Sequence, residues 1–192
     1  MFSVSVIAFT FLILTMGAEI IFRPFVVKNI RKVFSAAISA VLLSQFYLSY
    51  IQYKLWKFDE TAKFLLPPYQ TTDYFLTYVS WRVFVPYALS LAIGLIFFWL
   101  AKKYNERHQG QFFYNEEYYY IALSFFLVGH PFWIFYAILL IITISSIIAF
   151  RHFIFKKTDK VSLSHFWLPM AAFVILISKW IIMTDWFLKL KI

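Results

Sequence analysis

The chain has 192 residues, 62% of them hydrophobic and 14% charged, with a mean hydropathy of +0.74, a balance that excludes a soluble globular domain. Its net charge of +9 comes from short basic clusters beside apolar runs, the pattern of loops that flank membrane spans, so no nucleic acid partner is expected. It has no cysteine, which excludes disulfides and thiolate chemistry.

At about 20 residues per helical span, this length allows about five or six crossings joined by short loops. Residues 1–192 therefore read as a single membrane domain with the lipid bilayer as its first partner. The 25 Phe, 13 Tyr and 7 Trp suit lipid-facing surface and interfacial belts, where amphipathic rings settle at headgroup depth.

The first predicted span is Val4 to Phe22. No basic residue precedes it and no small-residue cleavage site follows it, so it reads as a retained span rather than a signal peptide. Glu19 lies near its end, where it can reach the interface or pair with Arg23 one helical turn on. Arg23, Lys28, Arg31 and Lys32 follow with no acid among them. They mark 23–32 as cytoplasmic and place the N-terminus outside.

Val33 to Leu55 is the second span, opened by small residues that let helices approach closely and closed by Tyr47, Tyr50, Tyr53 and Trp56 at the far interface. Gln45 and Gln52 share a face and are expected to hydrogen-bond to a neighbouring helix. From Lys54 to Arg82 the charges and Pro67-Pro68 predict the longest loop, with Phe64 to Leu66 and Tyr74 to Trp81 lying in the interface.

Val83 to Ala101 is the third span, with Pro86 in its first turn, where a missing N–H does no harm. Lys102, Lys103 and Arg107 return the chain to the basic side. Phe112 to Val128 is the fourth span, a short one, and it carries Glu116 and Glu117 at its start. Gly129-His130-Pro131 then turns the chain into Phe132 to Phe150, the fifth span. A basic loop over 151–160 leads to Phe166 to Phe187, the sixth, with Lys189 and Lys191 behind it.

If Phe112 to Val128 crosses, the basic loops 23–32, 102–111 and 151–160 all fall on the cytoplasmic side, which favours an all-α, polytopic bundle of about six transmembrane helices in the cell membrane with both termini outside. If that stretch does not cross, the loop over 151–160 moves outside and breaks the positive-inside pattern.

The candidate chemistry lies in the acids. On a helix, Glu117, Tyr120, Ile121 and Ser124 share one face, and Glu116 and Tyr119 lie on the adjoining one. A carboxyl group desolvated beside tyrosine hydroxyls can serve as a general acid or proton carrier. The alternative is a pair of interfacial charges that snorkel to water or pair with Lys102, Lys103 or Arg107. The four histidines, His108, His130, His152 and His165, show no metal-ligand spacing, so no metal site is expected. Phosphate-binding loops, a Ser-His-Asp order and cofactor motifs are also absent, so no cofactor is expected.

Several stretches in the second half fall in a recognisable order. Tyr114-Asn115-Glu116-Glu117 is followed twelve residues after Glu117 by Gly129, and Val161-Ser162-Leu163-Ser164-His165 leads into Phe166-Trp167-Leu168-Pro169 at the last helix. Over roughly residues 83–190 this arrangement resembles the prepilin peptidase (type IV leader peptidase) family, which carries a GxGD motif with a glycine twelve residues after its aspartate. The resemblance implies a membrane aspartic-type endopeptidase acting on leader peptides, with Glu117 in the place of the GxGD aspartate. Asp59, ahead of Leu66-Pro67-Pro68, stands as the second acid.

The departures are specific. Both GxGD glycines are missing, the aspartate has become a glutamate, and the family's cysteine-rich insert has no counterpart. Only Val83 to Ala101 is a clear crossing between Asp59 and Glu117, which sets them on opposite faces. A dyad must share a proton at close range. These departures favour a membrane scaffold or assembly subunit that keeps the build, has lost the protease chemistry and binds a partner transmembrane helix. The active peptidase, with Glu117, Glu116 and Asp59 as candidate catalytic residues, is the alternative. A further one is a membrane enzyme resembling the carotenoid cyclases, whose short helices carry Glu-Glu followed by aromatics. The glutamic proteases with an EExxxR motif fit less well, because Ile121 stands where the arginine belongs.

Overall fold

The computed structural model describes residues 4–110, 113–155 and 164–182. These form seven helices: α1 (Val4–Lys28), α2 (Ile30–Phe58), α3 (Thr72–Val79), α4 (Val85–Arg107), α5 (Glu117–Val128), α6 (Trp133–Phe155) and α7 (Ser164–Ile182). No strand occurs among the described residues. Phe112 at the start of the fourth predicted span, Lys156, Lys157 and Lys160 of the third basic loop, the stretch 161–163, and the end of the last span with Lys189 and Lys191 lie outside the described residues.

Among the described residues three helical stretches are long and apolar enough to cross a membrane: α1, α2 and the continuous Thr72–Arg107. In α1 the helix breaks at Phe22 (φ −129°, ψ 43°), two residues before Pro24. Proline has no N–H for the Ile20 carbonyl, and its ring crowds the preceding turn, so the kink falls at the predicted end of the first span.

The predicted loop from Lys54 to Arg82 is largely helical. α2 runs on to Phe58, a 3₁₀ turn occupies Ala62–Leu65, and α3 continues through a widened π turn (Ser80–Phe84) into α4. Asp73 in the first turn of α3 complements the helix dipole. Phe75 and Val79, one turn apart, bury with Leu66 against Tyr53 and Trp56, and ring pairing joins Phe75 to Tyr53 at 5.5 Å and to Trp56 at 5.4 Å. Charge content misled the sequence reading here, because the polar side chains occupy only one side of an amphipathic helix. The π turn directly precedes the turn that holds Pro86, where a regular helix would clash. Inside it, the Val83 carbonyl accepts from Gln45 Nε2 at 3.2 Å, the interhelical bond expected of that glutamine.

The whole bundle is arranged around α5. It touches α1, α2, α4, α6 and α7, and every one of its residues except Tyr119 is buried. Its 12 residues rise only about 18 Å, less than the roughly 30 Å of bilayer hydrocarbon, so the helix is shorter than the predicted Phe112 to Val128. α4 packs closest. Gly94 sits so near α5 that a methyl group there would lie 2.8 Å from the Ala122 carbonyl oxygen, and beside it Phe97 stacks on Phe125 at 4.5 Å. Phe125 also meets Tyr136 of α6 edge-on at 4.9 Å, and the Tyr136 hydroxyl donates to the Trp167 carbonyl of α7 at 3.1 Å. At the far end of α5, Gly129 turns the chain at φ +77°, a conformation that side chains with a Cβ rarely adopt. There the His130 N–H donates to the Pro86 carbonyl at 3.3 Å.

Gly94→Ala is expected to lower the thermal midpoint of the purified protein by forcing α4 from α5, at a cost of about 1–3 kcal/mol. Gly17→Ala, where a Cβ meets nothing within 4 Å, should leave it unchanged or raise it. Equal midpoints for the two variants would contradict this packing.

Candidate functional site

The site lies at the start of α5. Glu117 is fully buried, and its Oε2 accepts the Tyr114 N–H at 3.1 Å while its own N–H donates to the Tyr114 carbonyl at 3.0 Å. Glu117 thereby closes the turn that leads into α5, whose N-cap residue is Glu116, and its negative charge suits a helix N-terminus. Tyr114 and the chain before it are held in turn by Asn105 of α4. Its side chain accepts the Phe113 N–H at 3.0 Å and donates to the Phe113 carbonyl at 2.8 Å, as a neighbouring strand would, and it also bonds to the Tyr118 hydroxyl.

Glu116 is half-buried, and Glu117 and Glu116 both lie within electrostatic reach of Glu19 of α1. Glu19 is 5% exposed, and its Oε1 accepts no hydrogen bond among the described residues. Arg23, one turn on and just past the α1 kink, acts on it electrostatically. Tyr120 completes the group. It is fully buried, its hydroxyl has no partner among the described residues, and it lies within electrostatic reach of Glu19, Glu116 and Arg23. Glu19 Oε1 and the Tyr120 hydroxyl are thus two buried polar atoms without hydrogen-bond partners among the described residues, each within electrostatic reach of the other's group.

The sequence reading singled out Glu116, Glu117 and the tyrosines after them, and the fold brings them together. It missed Glu19 as a partner for these acids and assigned it to the interface or to Arg23. Asn105 gave a weaker signal, a lone amide near the end of an apolar helix. Ser124, on the face predicted for Glu117, is fully buried with its hydroxyl close to that of Tyr136. Tyr119 faces the other way, edge-on to Phe34 at 6.3 Å and to Phe98 at 5.1 Å, with the Arg31 guanidinium 5.9 Å from its ring centre.

Asp59 is placed elsewhere. It is exposed just beyond the C-terminus of α2, and its Oδ1 accepts the Thr61 N–H at 2.9 Å, the Thr61 hydroxyl at 2.8 Å and the Ala62 N–H at 2.8 Å. The Ala62 N–H foremost, then the Thr61 hydroxyl and N–H, hold its carboxyl below the usual carboxylate range. Tyr119, beside Glu117, meets α2 at Phe34, and the helix from Phe34 to Asp59 rises roughly 37 Å. Asp59 and Glu117 therefore stand at opposite ends of α2.

His108 stacks on Tyr104 near the start of α5, with Nδ1 2.8 Å from the Tyr104 carbonyl. His130 lies at the other end of α5, where its Nδ1 accepts the Trp133 indole N–H at 3.1 Å. Among the described residues no group of three His, Asp or Glu side chains converges as metal ligands. Comparison with protein-family models, curated proteins and solved structures finds no match.

Asn105→Ala is expected to destabilise the protein by about 1–3 kcal/mol, read as a lower chemical-denaturation midpoint, because it leaves buried backbone groups unpaired. For Asp59 the sign of the pH dependence is set by its lowered carboxyl. Its contribution is present above the unfolded carboxylate range and is lost as pH falls through the folded value. The difference in thermal midpoint between the native chain and Asp59→Asn should therefore close on acidification, and a difference that widens would be the wrong sign.

Proposed function

We propose that this chain is a multi-pass membrane protein that carries out proton-transfer chemistry at a carboxylate cluster formed by Glu117, Glu116 and Glu19, with Tyr120 beside them. The observation that carries this reading is the buried Glu19 carboxylate, whose Oε1 has no hydrogen-bond partner among the described residues, within electrostatic reach of both other glutamates and of Arg23. A scaffold has no use for a buried carboxyl oxygen left without a hydrogen bond, because it costs stability. Acids that act on one another electrostatically in a site largely shielded from water shift each other's hold on a proton, which suits them to pass one to a group that enters. In this proposal Glu19 takes the part that the prepilin-peptidase resemblance gives to Asp59.

The threading belongs to the same proposal: about six crossings, with the basic loops 23–32, 102–111 and 151–160 on the cytoplasmic side. Two features support it. The start of α5 lies next to both Arg31 of α2 and Asn105 near the basic end of α4, so the first two basic segments sit at one end of the bundle. α5 is enclosed by protein on all sides, so its short length needs no match to the bilayer.

A scaffold reading keeps one observation of its own, the exposed Tyr74 of α3 and Trp81 of the π turn after it, which with Tyr78 line a hollow of about 290 Å³ suited to a partner helix. Infrared titration of the carboxyl groups in lipid separates the two readings. A coupled cluster titrates in separated steps, whose spread narrows in either Glu19→Gln or Glu117→Gln and is unchanged in Asp59→Asn. Independent single-step titration in the native chain would remove the proton-transfer reading and leave the scaffold, for which Trp81→Ala is the variant expected to lose a partner helix.

A further inference from the structure

A second hollow, separate from the acidic cluster, opens among the described residues. It is a groove of about 490 Å³ between α4, α5, α6 and α7, inside the roughly 300–1,000 Å³ range of ligand sites. Its walls are Phe97, Phe125, Leu140 and Ile144, and at one end the lining changes to Lys103 and Arg107. Both basic residues lie in the last turns of α4, at the end of the bundle where the basic segments gather.

Their surroundings favour an anion. Lys103 and Arg107 are one turn apart on α4, hence on one face, and both are exposed. The Lys103 ammonium lies over the Trp99 ring at 4.4 Å, one turn back on α4, while its side chain lines the groove mouth. The neighbouring ion pair, Lys102 with Glu106 at 3.9 Å, contains neither Lys103 nor Arg107. A long apolar slot ending in two cations at the level of the headgroups matches one kind of molecule, an acyl chain bearing a phosphate.

We propose that the groove is a binding site for an anionic phospholipid, with one acyl chain between α4 and α6 and the headgroup phosphate on Lys103 and Arg107. The proposal rests on the membrane reading above but not on the chemistry of the acidic cluster. Each cation contributes about five-fold to the preference for an anionic headgroup, and the pair about thirty-fold.

The test uses the full chain in phosphatidylcholine nanodiscs, with tryptophan quenching by phosphatidylglycerol carrying brominated acyl chains. Failure of the chain to enter nanodiscs would overturn the membrane reading and the lipid site with it. In discs, unlabelled phosphatidylglycerol should reverse the quenching at concentrations about thirty-fold below those needed with phosphatidylcholine. Lys103→Gln combined with Arg107→Gln should abolish that preference, while Lys103→Arg with Arg107→Lys keeps it and shows that the fold tolerates changes there. Lys28→Gln with Lys32→Gln removes the same charge elsewhere and should leave the preference intact. Ala137→Phe, in the groove wall, should weaken quenching by every lipid. Equal competition by the two lipids, equal loss from the Lys28 and Lys32 pair, or reversal by free inorganic phosphate alone would overturn the proposal.

Discussion

The enclosure of α5 is the constraint on which the rest of the structure depends. A helix of Tyr, Phe, Leu and Ala with two acids at its start has no polar face to offer water, and at 12 residues it is too short to present a lipid face across a bilayer. It is stable only when surrounded, and the other helices contribute what surrounding it requires. Gly94 lets α4 approach to backbone contact, Tyr136 fills the space beside Phe125, and α1 and α7 close the remaining sides.

Close packing on every side has consequences at both ends of α5. Backbone groups that leave a helix terminus need partners, and no water reaches them in a packed interior. At the C-terminal end the Gly129 corner turns the His130 N–H to the Pro86 carbonyl. At the N-terminal end the Glu117 carboxylate and the Asn105 amide serve the same need for Tyr114 and Phe113. Glu117 is therefore a structural cap as well as a member of the acidic cluster. What capping does not account for is Glu19, which satisfies no backbone group and has no hydrogen-bond partner at Oε1 among the described residues. That asymmetry separates the chemistry of the cluster from its architecture.

The two ends of the bundle also differ in character. One gathers Arg31, Asn105, the glutamates and the basic mouth of the α4 groove; the other holds the Gly129 corner, Pro86 and the start of α1. An acidic cluster enclosed by helices beside a basic rim is an arrangement in which the charges of the rim remain in water while those of the cluster do not. Placing both at one end keeps the middle of the bundle apolar.

Much of this was legible along the chain, because apolar composition and period are local properties. The all-helical class, the helix starting at Val4, the hydrogen bond of Gln45 to another helical segment and the corner at Gly129 all follow from residue type and spacing. Helix continuity through Pro86 was not legible, since a widened turn can absorb a proline and only packing decides whether it does. Nor was the helical nature of 72–79, where Asp73 and Arg82 hide a face that buries on Tyr53 and Trp56. The partner of the glutamates was beyond sequence reading altogether. Glu19 and Glu117 lie far apart along the chain, and nothing near either residue records the other. Their meeting depends on α1 packing antiparallel to a helix that all the others enclose, and that packing is a property of the tertiary structure alone.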